Sequence, residues 1–478
     1  MLYHSPFLQL LEQLPANYAV CIHQHNTLTA AELISKSKNL AAYLAAKGIK
    51  KGDHVLLACD VGTEFLVLFM ALIHLRTKTA LVDPHMGNQR YTSKLKQFQP
   101  KWAFIDSRLL LLQEHPVVRY LYKKRKAGAF YIPYSTTYTV FATGIWLPLL
   151  QRHYKLKYSE STAVDFSPSQ EDDELVVVYT SGTLAEPKAV VHTMNSLFES
   201  LKTVAGLFDS NKQASMVTHL PQFALIGMMT GYKTYFWKES TAPKERIAFI
   251  KEHHITTLFG PPAEYRDLMN YCKETDQLFP ESLQHLILGS APVLKPLLIE
   301  LRKFSNAKIT CLYGMTENLV VASVDGDEKI NYTGKGDLLG KPLEAMQYKI
   351  ADDGELFIRS PLLYKRYFHL QKADEFHATG DLVETDPQGR FVMRGRKKNM
   401  IIRANKNIYP GLYETTIAQI NGVNDVCLMG LYDEAIHDEQ VKTALTHAIH
   451  TDRGENQNAG VQVRFRYFEQ LDPHAHQR

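Results

Sequence analysis

Apolar positions along this chain repeat in alternating short runs and helical stripes. Leu33, Leu40 and Leu44 share one helical face, and the preceding Thr29 and Glu32 have the T-x-x-E spacing of a capping box. Gly48 supplies the stop. A β run at 54–59 follows, then an apolar helical stretch around 65–75, a short run at 79–82 and a turn at 83–87. This strand, helix, strand order predicts an α/β unit with a parallel sheet.

The alternation returns at 175–178, a strand that opens into a polar loop. It continues with a helix near 196–208, a strand at 216–220, a helix near 244–253, strands at 256–259 and 286–288, a helix to 304 and a strand at 308–312. Loops lie where several strands end, which is where open α/β sheets place their ligands. From Gly340 the texture changes. Short runs at 347–350, 355–359 and 391–394, separated by Asp352-Asp353-Gly354 and Pro387-Gln388-Gly389, predict a small antiparallel β subdomain.

Beyond Arg396-Lys397-Lys398 comes a tail of about eighty residues, with a helix near 412–420 and strands near 425–430 and 461–467. The expected architecture is therefore α/β: a large N-terminal domain at 1–395, of parallel-rich α/β sheets plus the small β subdomain, then a small mobile α+β domain at 396–478. A chain of 478 residues exceeds what one core sustains, which agrees with this division.

Composition narrows the function. The 54 basic and 50 acidic residues leave a formal charge of +4 without long runs, which argues against nucleic acid as partner and favours a small molecule. Five isolated cysteines form no CxxC pair, so a reduced, cytoplasmic setting is expected. The 20 histidines lack metal-ligand spacing. The apolar stretches at 65–75 and 140–150 are too short to span a bilayer. The second reads foremost as core, with an oily channel or peripheral membrane contact as the alternative.

Candidate chemistry concentrates in Tyr179 to Lys188, reading YTSGTLAEPK. The hydroxyls of Thr180, Ser181 and Thr183, the Lys188 ammonium and loop N–H groups suit one polyanion, and Gly182 permits close approach. An ordinary polar turn is the alternative, and the GxxxxGK[ST] spacing of a Walker loop is absent. Three further segments recur downstream: Tyr313-Gly314-Met315-Thr316-Glu317, Thr379-Gly380-Asp381, and the stretch from Gly395-Arg396 to Ile408-Tyr409-Pro410. Alone, Glu317 reads as a helix-start charge and Asp381 as a carboxylate capping a turn.

Together, in this order and at these separations, the four segments resemble the adenylate-forming superfamily of acyl-CoA synthetases, peptide-synthetase adenylation domains and luciferases, over nearly the whole chain. The resemblance implies ATP and Mg²⁺ as cofactors and a small carboxylic acid as substrate. It implies that Thr180, Ser181, Gly182, Thr183 and Lys188 engage the β- and γ-phosphates. Gly289, Ser290, Ala291 and Pro292 match the adenine-pocket turn, and Tyr313 would stack on adenine. Thr316 would contact the α-phosphate, Glu317 would hold the metal, and Asp381 with Arg396 would bind the ribose. Lys398 matches the hinge. Val82 to Gly87, Leu220 to Leu225 and the Asn318-Leu319-Val320 continuation resemble the fatty-acyl ligases related to olefin β-lactone synthetases. That places Phe223, Ala224 and Gly227 near an acyl tunnel.

The chain also departs from the pattern. Leu184 and Ala185 replace a Thr-Gly pair, and Ala189 replaces the glycine after the lysine, so a loop that must wrap phosphate loses a hydroxyl and gains methyl groups. Asn405 stands at a glycine position that the coenzyme A arm approaches, and Asn407 where a phosphate-contacting residue is common. Arg478 falls at the place of the catalytic lysine. These departures leave open an enzyme with slowed first-step chemistry and a degenerate homologue that binds nucleotide or acyl ligand. Coenzyme A, a carrier protein and an intramolecular hydroxyl remain as alternative acceptors.

Overall fold

The structure, a computed structural model, describes residues 5–23, 26–82, 88–118, 120, 138–144, 150, 153–157, 170–180, 188–208, 214–238, 241–371, 375–403, 406–408, 410–417, 423–433, 438–447 and 464–466. Two large sheets carry the architecture. The first sheet places thirteen described strands side by side. Its parallel part runs Lys308–Met315, His285–Leu288, Thr257–Gly260, Ser215–Thr218, Lys233–Phe236 and Ala19–His23. The second sheet is parallel across Glu174–Tyr179, Lys78–Leu81, His54–Ala58, Trp102–Asp106, Thr139–Thr143 and Tyr154–Lys155. The mixed α/β class is as expected.

Local signals explain several helices. Thr29 caps Ala30–Ala46 with a reciprocal box: Glu32 N donates to Thr29 Oγ1 at 3.3 Å, and Thr29 N donates to Glu32 Oε2 at 3.0 Å. Gly48 follows with φ of +96°. The helix Thr63–His74 is buried all round from Phe65 to His74. It packs on the helices Ala30–Ala46 and Pro221–Thr230 and on the strands Ala19–His23 and Asn26–Thr29. One apolar core thus includes residues of both sheets, among them Val20, Val55, Val176, Met216 and Ile287. Each such side chain contributes about 1.5–3 kcal/mol on burial. The 140–150 stretch divides: Val140, Phe141 and Ala142 are core residues of the strand Thr139–Thr143, whereas 145–149 lie outside the described residues. The turn at 83–87 lies outside them too.

Three differences from the sequence reading matter for the site. The helix Pro262–Glu274 was not anticipated between the strands at 256–259 and 286–288. The strand expected at 308–312 runs on through Met315 and turns back at Thr316-Glu317 into an antiparallel partner, Asn318–Asp325. The antiparallel β region does not stand apart, because Asp337–Pro342 pairs with Asn318–Asp325 on one side and with Phe391–Arg396 on the other. Its strands thereby extend the first sheet, ending on the hairpin Gln347–Ile350 and Glu355–Arg359.

After Arg396 a 3₁₀ turn, Lys397–Asn399, leads to the hairpin Ile401–Arg403 and Lys406–Ile408, the helix Pro410–Ile417 and a three-stranded sheet. That sheet includes Asp438–His447, a strand missing from the sequence reading.

Candidate active site

Glu317 sits in the turn of the Lys308–Met315 and Asn318–Asp325 hairpin, so neither its helix-start reading nor a loose loop applies. The hairpin is made tight by a bulge in which Gly314 faces Leu319 to Val321. A Cβ on Gly314 would lie 2.1 Å from Leu319 O, a backbone atom that cannot swing away. Asn318 braces the turn: its Nδ2 donates to Val320 O at 2.7 Å, and its Oδ1 accepts from Ser360 Oγ at 2.6 Å.

The turn is tied at three points to the second sheet and to the segment leading into its edge strand Arg366–Tyr367. His192, on Ala189–Thr193, reaches Thr316 O with Nε2 at 2.8 Å. Burial lowers its pKa, outweighing the opposing pull of Glu317, so the ring is neutral with Nε2 as donor. Tyr364 N donates to Glu317 O at 2.8 Å. The phenol of Tyr367 donates to Glu317 Oε1 at 2.8 Å. The sequence reading missed both His192 and Tyr367.

Lys188 closes the same cluster. It follows the polar loop, with Thr180 N donating to Lys188 O at 3.0 Å and Lys188 N to Thr180 Oγ1 at 3.2 Å. Its Nζ lies 4.8 Å from the centroid of the Tyr367 ring. Ser181, Gly182 and Thr183 lie outside the described residues, as do Leu184 and Ala185. Ala189 is buried in the core that also holds Phe368, so its methyl packs inward.

Tyr313, Asp381 and Arg396 form the adjoining part. Tyr313 Oη donates to Asp381 Oδ2 at 2.7 Å, and Arg396 Nε pairs with Asp381 Oδ1 at 2.9 Å. Strand pairing fixes this, since Asp381 and Arg396 are opposite one another in the ladder between His377–Thr385 and Phe391–Arg396. Asp381 is thus a strand residue, 1% exposed, and no turn cap. Burial pushes its carboxyl up, against the charge of Arg396 and the bond from Tyr313.

Gly289 to Pro292 follow the parallel strand His285–Leu288. Gly289 is buried, whereas Ser290, Ala291 and Pro292 are exposed, and Ser290 takes the left-handed region at φ of +68°. Lys398 lies exposed in the 3₁₀ turn, beside Lys397, which pairs with Asp353 at 2.6 Å and Glu355 at 2.7 Å.

The proposed acyl residues divide. Phe223 and Ala224 belong to the helix Pro221–Thr230; Ala224 is fully buried, and the Phe223 side chain lies outside the described residues. Gly227 has a packing reason of its own: a Cβ there would meet Thr234 Oγ1 at 1.8 Å. That seats it against the strand Lys233–Phe236. Arg478, Asn405 and the Asn407 side chain lie outside the described residues.

Contacts thus join Lys188, Tyr367 and Glu317 in one group and Tyr313, Asp381 and Arg396 in another, and the stretch Tyr313 to Glu317 connects the two along the chain. The sequence matches the AMP-binding enzyme family over residues 9–368. This chain belongs to that family. It is 24% identical over 457 residues to a 2-succinylbenzoate–CoA ligase of Bacillus subtilis, covering 91% of this chain and 86% of the relative. It is also 24% identical over 427 residues to the long-chain-fatty-acid–CoA ligase FadD13 of Mycobacterium tuberculosis, covering 85% and 81%. The fold matches that of O-succinylbenzoate coenzyme A synthetase from Bacillus subtilis, solved with ATP and magnesium ion. That match has a TM-score of 0.72 and 22% identity, over 91% of this chain and 88% of the other. This member of the AMP-binding enzymes is thus a ligase-class enzyme related to acyl-CoA ligases. No helix of the described residues is long and apolar enough to cross a membrane.

Proposed function

We propose that this AMP-binding enzyme activates a carboxylic acid with ATP, releasing pyrophosphate and forming an acyl-adenylate that passes to a second acceptor. The observation that carries the reading is that one hairpin bears both groups, Glu317 with Tyr367 and Lys188, and Tyr313 with Asp381 and Arg396, whose side chains suit phosphate, metal and ribose.

The donor set fits magnesium. Among the described residues no three His, Cys, Asp or Glu side chains gather as a metal cage. One buried carboxylate, Glu317, instead shares Tyr367 with the phosphate-side lysine, and magnesium is commonly held by one or two carboxylates plus substrate phosphates. When bound it neutralises charge on the transferring phosphate oxygens. In this reading Lys188 and the Thr180 loop hold the departing pyrophosphate, and Thr316 donates toward the α-phosphate. Asp381 accepts from the ribose hydroxyls while Arg396 steadies it. The substrate carboxylate attacks the α-phosphorus in line, and the phosphoanhydride bond to pyrophosphate breaks; catalysis is mainly positioning and electrostatics.

For the acid we propose a medium- or long-chain fatty or β-hydroxy fatty acid, with support from the fatty-acid relative. The 2-succinylbenzoate relative places aromatic dicarboxylates in the same test. Coenzyme A is the acceptor supported by both relatives, with lactone closure as the alternative. We also propose that residues 396–478 form the small domain, turning about Lys398, with Arg478 in the place of the catalytic lysine.

Acid-dependent ATP–pyrophosphate exchange over such a panel tests the reading, with mass spectrometry to separate acyl-AMP, acyl-CoA and β-lactone. Nucleotide binding without exchange for any acid would overturn it and favour a nucleotide- or acyl-binding protein, the second reading that Leu184, Ala185 and Arg478 motivate.

A further inference from the structure

Tyr367 stands between the two opposite charges on which the proposed reaction depends. Its strand, Arg366–Tyr367, pairs antiparallel with Ala189–Thr193, placing Tyr367 opposite Val190. The placement is over-determined. Lys365 N donates to Val191 O and Phe368 N to Ala189 O, both at 2.8 Å. Arg366 grips Glu174 with two bonds, Nε to Oε1 at 2.7 Å and Nη2 to Oε2 at 2.9 Å. Tyr364 packs against the ring, with centroids 4.9 Å apart.

One face of the ring carries the Lys188 ammonium at 4.8 Å, while the hydroxyl donates to Glu317 Oε1 at 2.8 Å. Among the described residues no ion pair joins Lys188 to Glu317. Lysine carries a point charge on a flexible stem, and a lone ammonium beside a buried carboxylate tends to pair with it. The ring offers the ammonium another seat, and the hydroxyl holds the carboxylate by one oxygen.

We propose that Tyr367 is a positioning residue that keeps Lys188 and Glu317 from neutralising each other, so that both stay available, the first to phosphate and the second to metal. The proposal rests on the ATP-dependent reading above. It goes further in giving a role to a residue that makes neither contact itself.

The test uses the full chain and three substitutions: Tyr367→Phe, which keeps the ring; Tyr367→Leu, which removes it; and Lys188→Gln. Binding of Mn²⁺, as a reporter for magnesium, is followed by electron paramagnetic resonance with a non-hydrolysable ATP analogue, and thermal midpoints are recorded alongside. Losing a hydrogen bond to a charged group should weaken Mn²⁺ binding by about tenfold in Tyr367→Phe. Tyr367→Leu should weaken it further, because Lys188 is then free to pair with Glu317. Lys188→Gln holds less nucleotide on its own, so the comparison is made within that background: there the step from Tyr367→Phe to Tyr367→Leu should cost little further Mn²⁺ affinity. Wild-type Mn²⁺ affinity in both Tyr367 variants, with only the thermal midpoint lowered, would show simple packing and overturn the proposal. A Tyr367→Leu loss of the same size with and without Lys188→Gln would overturn it equally. Absence of pyrophosphate exchange in the wild type overturns the enzyme reading alone, since the metal titration still decides the role of Tyr367. A wild type that takes up no Mn²⁺ with nucleotide overturns both.

Discussion

Replacing Glu174 with glutamine should loosen the strand that carries Tyr367, and the loss should depend on pH. Glu174 is 11% exposed and meets Arg366 through two bonds and Lys78 at 2.9 Å. Burial by itself would raise its pKa, but the bonds and charges of Arg366 and Lys78 win, and the carboxyl is pushed down to about 2 from an ordinary 4.5. At about 1.4 kcal/mol per pH unit this corresponds to about 3 kcal/mol as an upper limit. Arg366 and Lys78 keep 24% and 27% of their side-chain surface in water, which screens the cluster. We therefore expect about 2 kcal/mol for Glu174→Gln. A depressed carboxylate stabilises the fold fully above its unfolded value and loses that contribution as pH falls toward the folded one. The gap between wild type and variant should thus be complete at pH 7, start to close below about pH 4.5, and be more than half gone by about pH 3. Urea unfolding of both proteins at pH 7, 4 and 3, followed by tryptophan fluorescence, measures it. A gap that stays the same across these pH values, or none at pH 7, would refute the electrostatic account.

Three other outcomes follow from the site. Gly314→Ala should cost about 3 kcal/mol or more of stability, through the clash with Leu319 O, and should abolish pyrophosphate exchange; a thermal midpoint equal to wild type would contradict it. Because burial raises the Asp381 carboxyl, nucleotide binding should weaken with falling pH at values above those of an ordinary aspartate. Asp381→Asn should bind more weakly and lose that dependence, both read by calorimetry. The double change Leu184→Thr, Ala185→Gly should tighten ATP binding about fivefold by restoring a hydroxyl and backbone freedom; equal affinity in a direct titration would show that the altered loop is no handicap.

The sequence was most legible where the cause is local. The Thr29 and Glu32 box, the stop at Gly48 and the parallel α/β alternation all depend on neighbours within a few residues. The helix Pro262–Glu274 should have been legible too, since its buried Tyr265, Leu268, Met269 and Cys272 have helical spacing behind Pro262. The return strand Asn318–Asp325 was hidden because Glu317 reads as naturally at a helix start as in a hairpin turn. His192 and Tyr367 had no local signal. Their positions arise from pairing across the second sheet and from its seam with the first, at separations of 124 residues for His192 and Thr316 and 50 for Tyr367 and Glu317. Gly227 shows the converse, since a glycine beside a suspected tunnel can equally be a site where a strand comes close.

The two-residue turn at Thr316-Glu317 limits which changes of chain length this protein can absorb. The strand before it ends the parallel part of the first sheet, and the strand after it begins the antiparallel extension. An added or deleted residue there would shift the pairing and reverse which side chains face the core along Asn318–Asp325. Side chains at the turn can be exchanged one at a time, but insertions and deletions have to fall elsewhere, in connections such as Thr275 to Gln284 that join a helix to a strand. New specificities in this scaffold should therefore arise by substitution around a turn of constant length, and by changes of length only at its outer loops.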